Sequence, residues 1–323
     1  MHIIDTILRR EEFVESPPIL VDIGASGAIH QKWRRIAPYA ICIAFDADDR
    51  EMGFAVHESK GYRKLYVFNR IVADQPTALA PFHLTKSPYC SSLLRPDQDS
   101  LAEWAFGGLF DVDRVADLEV VTLKSVLDDL GISKVDWFKT DSQGTDLRLF
   151  RSLGDDIVKR IILAEFEPGI MNAYENEDKL SSLMVFMGDR PFWMSGLVIK
   201  GSQRIRRQTF EALFSPFRRR LLGQLMKTAP GWGEVTYINA FSDSADYLDK
   251  RDYLLGWIIA VIERHLGFAL DIALRGANRF SDPVFEEMRK HTLRCIRWEY
   301  RKIPLYLMRR FVAALTGIAG AAG

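Results

Sequence analysis

Up to about residue 207 the apolar residues gather in short runs separated by segments with helical spacing. Runs at 19–23, 40–45, 64–72, 118–123, 135–140 and 160–166 predict strands, with further strands at 77–84, 192–199 and 203–207. The runs at 19–23 and 40–45 show little alternation, as expected of strands buried on both faces. Helices are predicted at 29–37, 48–60, 123–130 (closed by Gly131), 143–153 and 177–187. In the segment 143–153, Leu147, Phe150 and Leu153 recur at helical spacing. Strands and helices that alternate in this way predict an α/β fold. Its sheet is mostly parallel, with helices on both faces and a closing antiparallel hairpin after residue 190. Residues 1–16 read as a leading amphipathic helix stopped at Pro17-Pro18.

The pattern changes at about residue 208, where Arg-rich helical segments replace the alternation. The predicted organisation is therefore an α/β domain over 1–207 and a helical extension over 208–323. Within that extension 254–274 is the most apolar stretch, but Glu263, Arg264, His265 and Asp271 interrupt it. It reads as a buried helix pair and not as a membrane span. Basic residues cluster at 200–227, and again from Arg289 to Arg310 among Trp298, Tyr300, Leu305, Tyr306 and Leu307. This interleaving predicts contact with an anionic membrane surface, or with a phosphate-bearing substrate.

Composition adds a few bounds. The 323 residues carry 43 basic and 43 acidic side chains, so no general attraction to nucleic acid is expected. With 48% hydrophobic and 27% charged residues the chain is globular. Cys42, Cys90 and Cys295 are odd in number and far apart, which predicts a reducing, cytoplasmic setting and no zinc or other metal site.

The candidate chemistry begins at residues 19–48. A strand carrying Asp22 breaks into Gly24-Ala25-Ser26-Gly27, a helical segment follows, and the next strand ends on Asp46-Ala47. Small residues let a ligand approach the backbone, a helix start offers free N–H groups, and an acid after the second strand suits a ribose diol. Gly-Lys-Ser/Thr and the G-x-G-x-x-G spacing are both missing, so S-adenosylmethionine fits better than a nucleotide triphosphate or dinucleotide. Its ammonium would take Asp22 and its ribose Asp46. A second rim acid, Asp141, follows the strand 135–140 and would orient or deprotonate an acceptor, hold the ammonium, or merely cap the next helix. Glu165 and Glu167 end the next strand, and Asp74 follows the third.

These residues resemble a known family. VDIGASGA, AFDAD, VVTLKSVLDDLGISKVDWFKTDSQGTDLRLFRSL and ILAEFEP are similar to motifs of the FkbM family of adenosylmethionine-dependent methyltransferases. Ser26 stands at the family's asparagine and Asp146 at its glutamate. The resemblance covers about 17–207. It implies a class I, Rossmann-like methyltransferase fold, with seven strands of which the last is antiparallel. It also implies O-methylation of a glycan, sugar or secondary metabolite. The expected cofactor residues are Asp22, Gly24, Ala25, Ser26, Gly27, Asp46, Ala47, Asp74 and Asp141, and the expected catalytic residues are Asp141 and Glu165. The rival readings are a non-catalytic methyltransferase-like scaffold in a glycan pathway and, more weakly, a nicotinamide oxidoreductase.

Overall fold

The computed structural model describes residues 3–25, 31–48, 50 and 61–303. The chain divides into two compact units, Leu8–Leu248 and a second made of Met1–Ile7 with Asp249–Gly323.

The larger unit is built on a seven-stranded sheet. Its strands are β1 (Ile19–Ile23), β2 (Ile41–Phe45), β3 (Lys64–Phe68), β7 (Trp137–Thr140), β8 (Leu163–Phe166), β9 (Phe192–Ser202) and β10 (Ala229–Asn239). A smaller sheet holds β4 (Ile71–Ala73), β5 (Leu79–Thr85) and β6 (Val112–Thr122) in the order β4-β6-β5. The main order is β3-β2-β1-β7-β8-β10-β9. Every residue of β1 is buried, as its unbroken apolar run requires of a strand covered on both faces. Phe138, Phe150 and Phe166 meet edge-on or tilted in the core, with ring centroids 5.1 to 5.9 Å apart.

The sheet is mixed, which corrects the expected mostly parallel arrangement. From β3 to β8 the neighbours run parallel, but β10 is antiparallel to both β8 and β9. The strand expected at 203–207 does not form; helices Arg207–Leu213 and Pro216–Leu225 follow β9. Only after that excursion does the chain return as β10 between β8 and β9. The sequence APGWGEVTYIN hides this strand, because its proline and two glycines are poor strand formers. Glycine is needed there: a Cβ on Gly201 would collide with the backbone of Ala229 and Gly231. The α/β unit consequently extends to Leu248, past the boundary expected at 207.

Other expectations shift in detail. The run at 64–72 breaks at Asn69-Arg70, sending β3 and β4 into different sheets. The leading helix is two helices, Ile3–Leu8 and Glu11–Glu15, because Arg10 is extended and starts the second. Residues 31–39 form two 3-10 turns, Gln31–Arg35 and Ala37–Tyr39, in place of a helix. The helix expected at 48–60 lies almost wholly outside the described residues. Helix Leu123–Asp129 does close at Gly131, whose φ is +67° and whose N–H bonds to the Asp128 carbonyl at 3.0 Å.

The smaller unit contains helices Lys250–Ile262, Leu266–Phe280 and Pro283–Glu299. The first is buried from Arg251 to Ala260, as expected of a buried pair, and opens on a capping box between Asp249 and Asp252. Trp257 Nε1 donates to Thr292 Oγ1 at 2.9 Å. Gly276 packs so closely on buried Phe285 that any Cβ would enter the ring. Phe285 also stacks on Phe280, so it has no free direction of retreat. Gly276→Val is expected to cost about 1–3 kcal/mol of overpacking. Gly223→Ala, whose Cβ meets nothing within 4 Å, is expected to be neutral or stabilising. Chemical denaturation of the two variants checks the contrast.

Candidate active site

Sequence order reverses between β1 and β7, which makes a crevice at the carboxyl ends of the strands. Gly24 follows β1 there with φ +81°, and a Cβ would strike the Asp141 carbonyl. The N–H groups of Gly24 and Ala25 both donate to the Phe45 carbonyl, at 2.9 and 3.0 Å. Asp141 N–H donates to the Ile23 carbonyl at 2.9 Å, so the ends of three strands are tied together. Gly24 lines the crevice. Ala25 does not; it is buried in the turn, and its N–H is already used. Ser26 and Gly27 lie outside the described residues.

Two of the expected site residues belong to one row of charges. Asp22, Lys139 and Glu165 are paired in register across β1, β7 and β8. Lys139 Nζ donates to Asp22 Oδ1 at 2.8 Å, and both side chains are largely buried. Glu165 accepts from Trp137 Nε1 at 2.7 Å and from Lys32 Nζ at 3.2 Å. Asp22 is thus engaged by a lysine where the sequence reading placed a ligand ammonium. Glu165 is likewise engaged, by an indole and a lysine. Neither is among the residues that line the two cavities described below. Two residues further along the same three strands stand Gly24, Asp141 and Glu167, at the rim.

The first cleft lies beside β2. Asp46, Ala47 and Asp48 line it together with Ile71, Val72, Phe82 and Leu93. Burial, then the neighbouring carboxylates of Asp48, Asp22 and Asp141, push Asp46 up to about 7 against the bond it receives from the Asp48 N–H. Asp48, unremarked in the sequence, is buried too. There burial is outweighed by Arg50 and Ser91, which hold its carboxyl below the usual range. The Arg50 guanidinium also reaches the Thr85 carbonyl at 3.0 Å and so fastens the loop after β5 to the end of β2. Asp74 does not line this cleft; the wall is made by Ile71 and Val72 before it.

Asp141 lines both this cleft and a second cavity of about 300 Å³. The turn that follows is strained, since Gln143 is left-handed at φ +55° without being glycine. It is held open by its bonds. Gln143 Nε2 donates to Asp141 Oδ1 at 2.5 Å, and its carbonyl accepts from Ser92 Oγ at 2.7 Å. The Tyr174 hydroxyl lies 2.8 Å from Gln143 Oε1 and 2.9 Å from the Cys90 carbonyl, and its one proton serves either. Asp146 is buried beneath the turn and accepts from Thr140 Oγ1, from Ser142 N–H and Oγ, and from Glu167 N–H at 2.5 to 3.1 Å. It therefore fixes the Asp141 and Glu167 rims to each other.

The second cavity is walled by Phe106, Phe110, Met171, Tyr174 and Trp232, with Asp141, Glu167 and Glu177 among its lining residues. Phe106 and Trp232 stack with centroids 6.0 Å apart at 15°. Glu177 is neutralised by Lys179 and accepts from Ala173 N–H at 2.7 Å. Burial and the adjacent carboxylates of Asp141 and Asp146 push Glu167 up to about 8. Asp141 is raised by the same burial, partly offset by Lys139.

Two adjoining cavities divided by one carboxylate are what a two-substrate transfer requires, and the family model of the methyltransferase FkbM domain matches residues 55–190. Residues 55–190 of the chain resemble that domain. Comparison with curated proteins and with solved structures gives no match. The FkbM match takes in Ser91, Asp141, Gln143, Asp146, Glu167 and Tyr174, but begins after Gly24 and Asp46. The match points to methyltransferase chemistry. Tyr174 and Trp232 had no local sequence signal, since their place depends on contacts between distant loops.

Proposed function

We propose that the protein is an S-adenosylmethionine-dependent O-methyltransferase whose sheet is the Rossmann-like sheet of class I enzymes. In this reading β10 takes the antiparallel place. The observation that carries the reading is Asp141, which belongs to both cavities. The first cleft suits adenosylmethionine on its donor set. Asp46 offers two carboxylate oxygens to a ribose diol, while Val72, Phe82 and Leu93 offer an apolar slot to a purine. Asp46, Asp48 and Asp141 give the cleft an acidic character that favours a sulfonium and an ammonium. The cofactor supplies an electrophilic methyl group.

The second cavity would hold the acceptor, a hydroxyl of a glycan, sugar or secondary metabolite. Phe106 and Trp232 give a flat apolar wall for one face of a ring, and neither lysine nor arginine is among the lining residues. Glu167 accepts the proton that leaves the hydroxyl, and the carboxylate of Asp141, oriented by Gln143, aligns the oxygen. Alignment and exclusion of water supply the rest of the rate.

Calorimetric titration with adenosylmethionine and its demethylated product tests the first half of this reading, and the gain of one methyl mass on neutral glycosides tests the second. Asp46→Ala is expected to weaken adenosylmethionine binding roughly 10- to 100-fold, the value of hydrogen bonds to a charged group. If neither compound binds the parent protein, the cofactor assignment falls. If they bind but no hydroxylated acceptor gains mass, the transferase reading falls while the binding reading stands.

A further inference from the structure

We infer that the helical excursion between β9 and β10 is a docking surface for an anionic membrane. Helix Pro216–Leu225 buries none of its residues. Phe217 is 77% exposed, Leu221 47% and Leu225 72%, and Leu213 on the preceding helix is exposed as well. At about 100° per residue, Phe217, Leu221 and Leu225 fall within ~80° of one another and form a single stripe. Arg218 lies on one flank of that stripe and Arg220 on the other. The opposite face turns to the protein: Gln203 Nε2 donates to the Gly223 carbonyl at 2.8 Å, and Arg219 pairs with Glu211 at 3.2 Å. Arg218, Arg220 and the following Lys227 form no ion pair among the described residues.

A fixed helix with an outward apolar stripe between unpaired cations matches a bilayer surface, where acyl chains take the stripe and anionic headgroups take the arginines. A second copy of the chain fits less well. In a two-fold contact the arginines of one helix would face those of the other, and PFRRRLLGQL contains no acid to answer them. This places the contact in the first of the two basic clusters, 200–227, which belongs to the sheet-bearing unit. In the C-terminal helices Arg289 and Lys290 are engaged by Glu286, and Arg264 and Lys302 by Glu299. Leu305, Tyr306 and Leu307 lie outside the described residues.

The test is co-sedimentation of the full chain with vesicles of phosphatidylcholine alone, and of phosphatidylcholine with phosphatidylglycerol in equal parts, at low and high salt. Pelleting is expected with the anionic vesicles at low salt, with release at high salt. The exposed-site variants Arg218→Glu/Arg220→Glu and Phe217→Ser/Leu221→Ser are each expected to lower the partition about tenfold or more. Their thermal midpoints should stay at the parent's value, since neither pair packs against the fold. Absence of pelleting at low salt, or variants that pellet like the parent, overturns the inference. A parent dimer in sedimentation velocity that Phe217→Ser/Leu221→Ser dissociates overturns it as well, and assigns the face to a second copy. None of these outcomes depends on methyl transfer.

Discussion

Glu167→Gln is expected to slow methyl transfer by about 10²- to 10⁴-fold, the usual contribution of a positioned proton acceptor, with adenosylmethionine binding unchanged. The split follows from placement, because Glu167 lines the second cavity and not the first. Glutamine keeps the shape and the backbone bond to Asp146, so the change removes basicity alone. The pH profile carries the sign. A base works when deprotonated, and burial beside Asp141 and Asp146 pushes Glu167 up to about 8. Transfer should therefore rise with pH through a midpoint at or below that value, since a cation in the adjoining cleft favours the carboxylate. In Glu167→Gln this rise should vanish. A variant that keeps both the parental rate and the alkaline rise removes Glu167 from the chemistry. Glu165→Gln is the control: its bonds to Trp137 and Lys32 predict lost stability without a changed pH profile.

Replacing Lys139 by methionine should give the largest loss of stability, about 3–5 kcal/mol, as for breaking a buried ion pair from one side. The lysine holds Asp22 at 2.8 Å in a part of the sheet where both side chains are largely buried. Without it Asp22 is an uncompensated charge among apolar strands, and Glu165 and Asp141 lose a nearby cation. Asp22→Asn combined with Lys139→Met removes the charge along with its partner and should recover most of the loss. Urea denaturation followed by tryptophan fluorescence reads both. If the single variant loses less than about 1 kcal/mol, or the double is no better than the single, the ion pair does not carry this weight.

The same row shows how much of the site could be read in advance. VDIG, FKTD and AEFE each place a charged residue two positions before the rim residue of a short apolar strand. Once β1 and β7 are neighbours, Asp22 and Lys139 pair within the sheet, while Glu165 on β8 takes Trp137 and Lys32. The rim set is then Gly24, Asp141 and Glu167. Reading each strand alone, Asp22 seemed a ligand for an ammonium and Glu165 as good a base as Glu167. Their partners lie more than 20 residues away in sequence, so no single strand records them.

By itself the sequence determined the α/β alternation, six of the seven strands of the main sheet, the glycine turn after the first and the acids at Asp46 and Asp141. These follow from local periodicity, from backbone conformations that only small residues adopt, and from acids that punctuate apolar runs. The tertiary structure alone decided that β10 inserts antiparallel beside β8, that Tyr174 and Ser92 hold a strained Gln143, and that Trp232 walls the second cavity. Each of these rests on contacts between segments far apart along the chain, whose energy no local pattern of residues records.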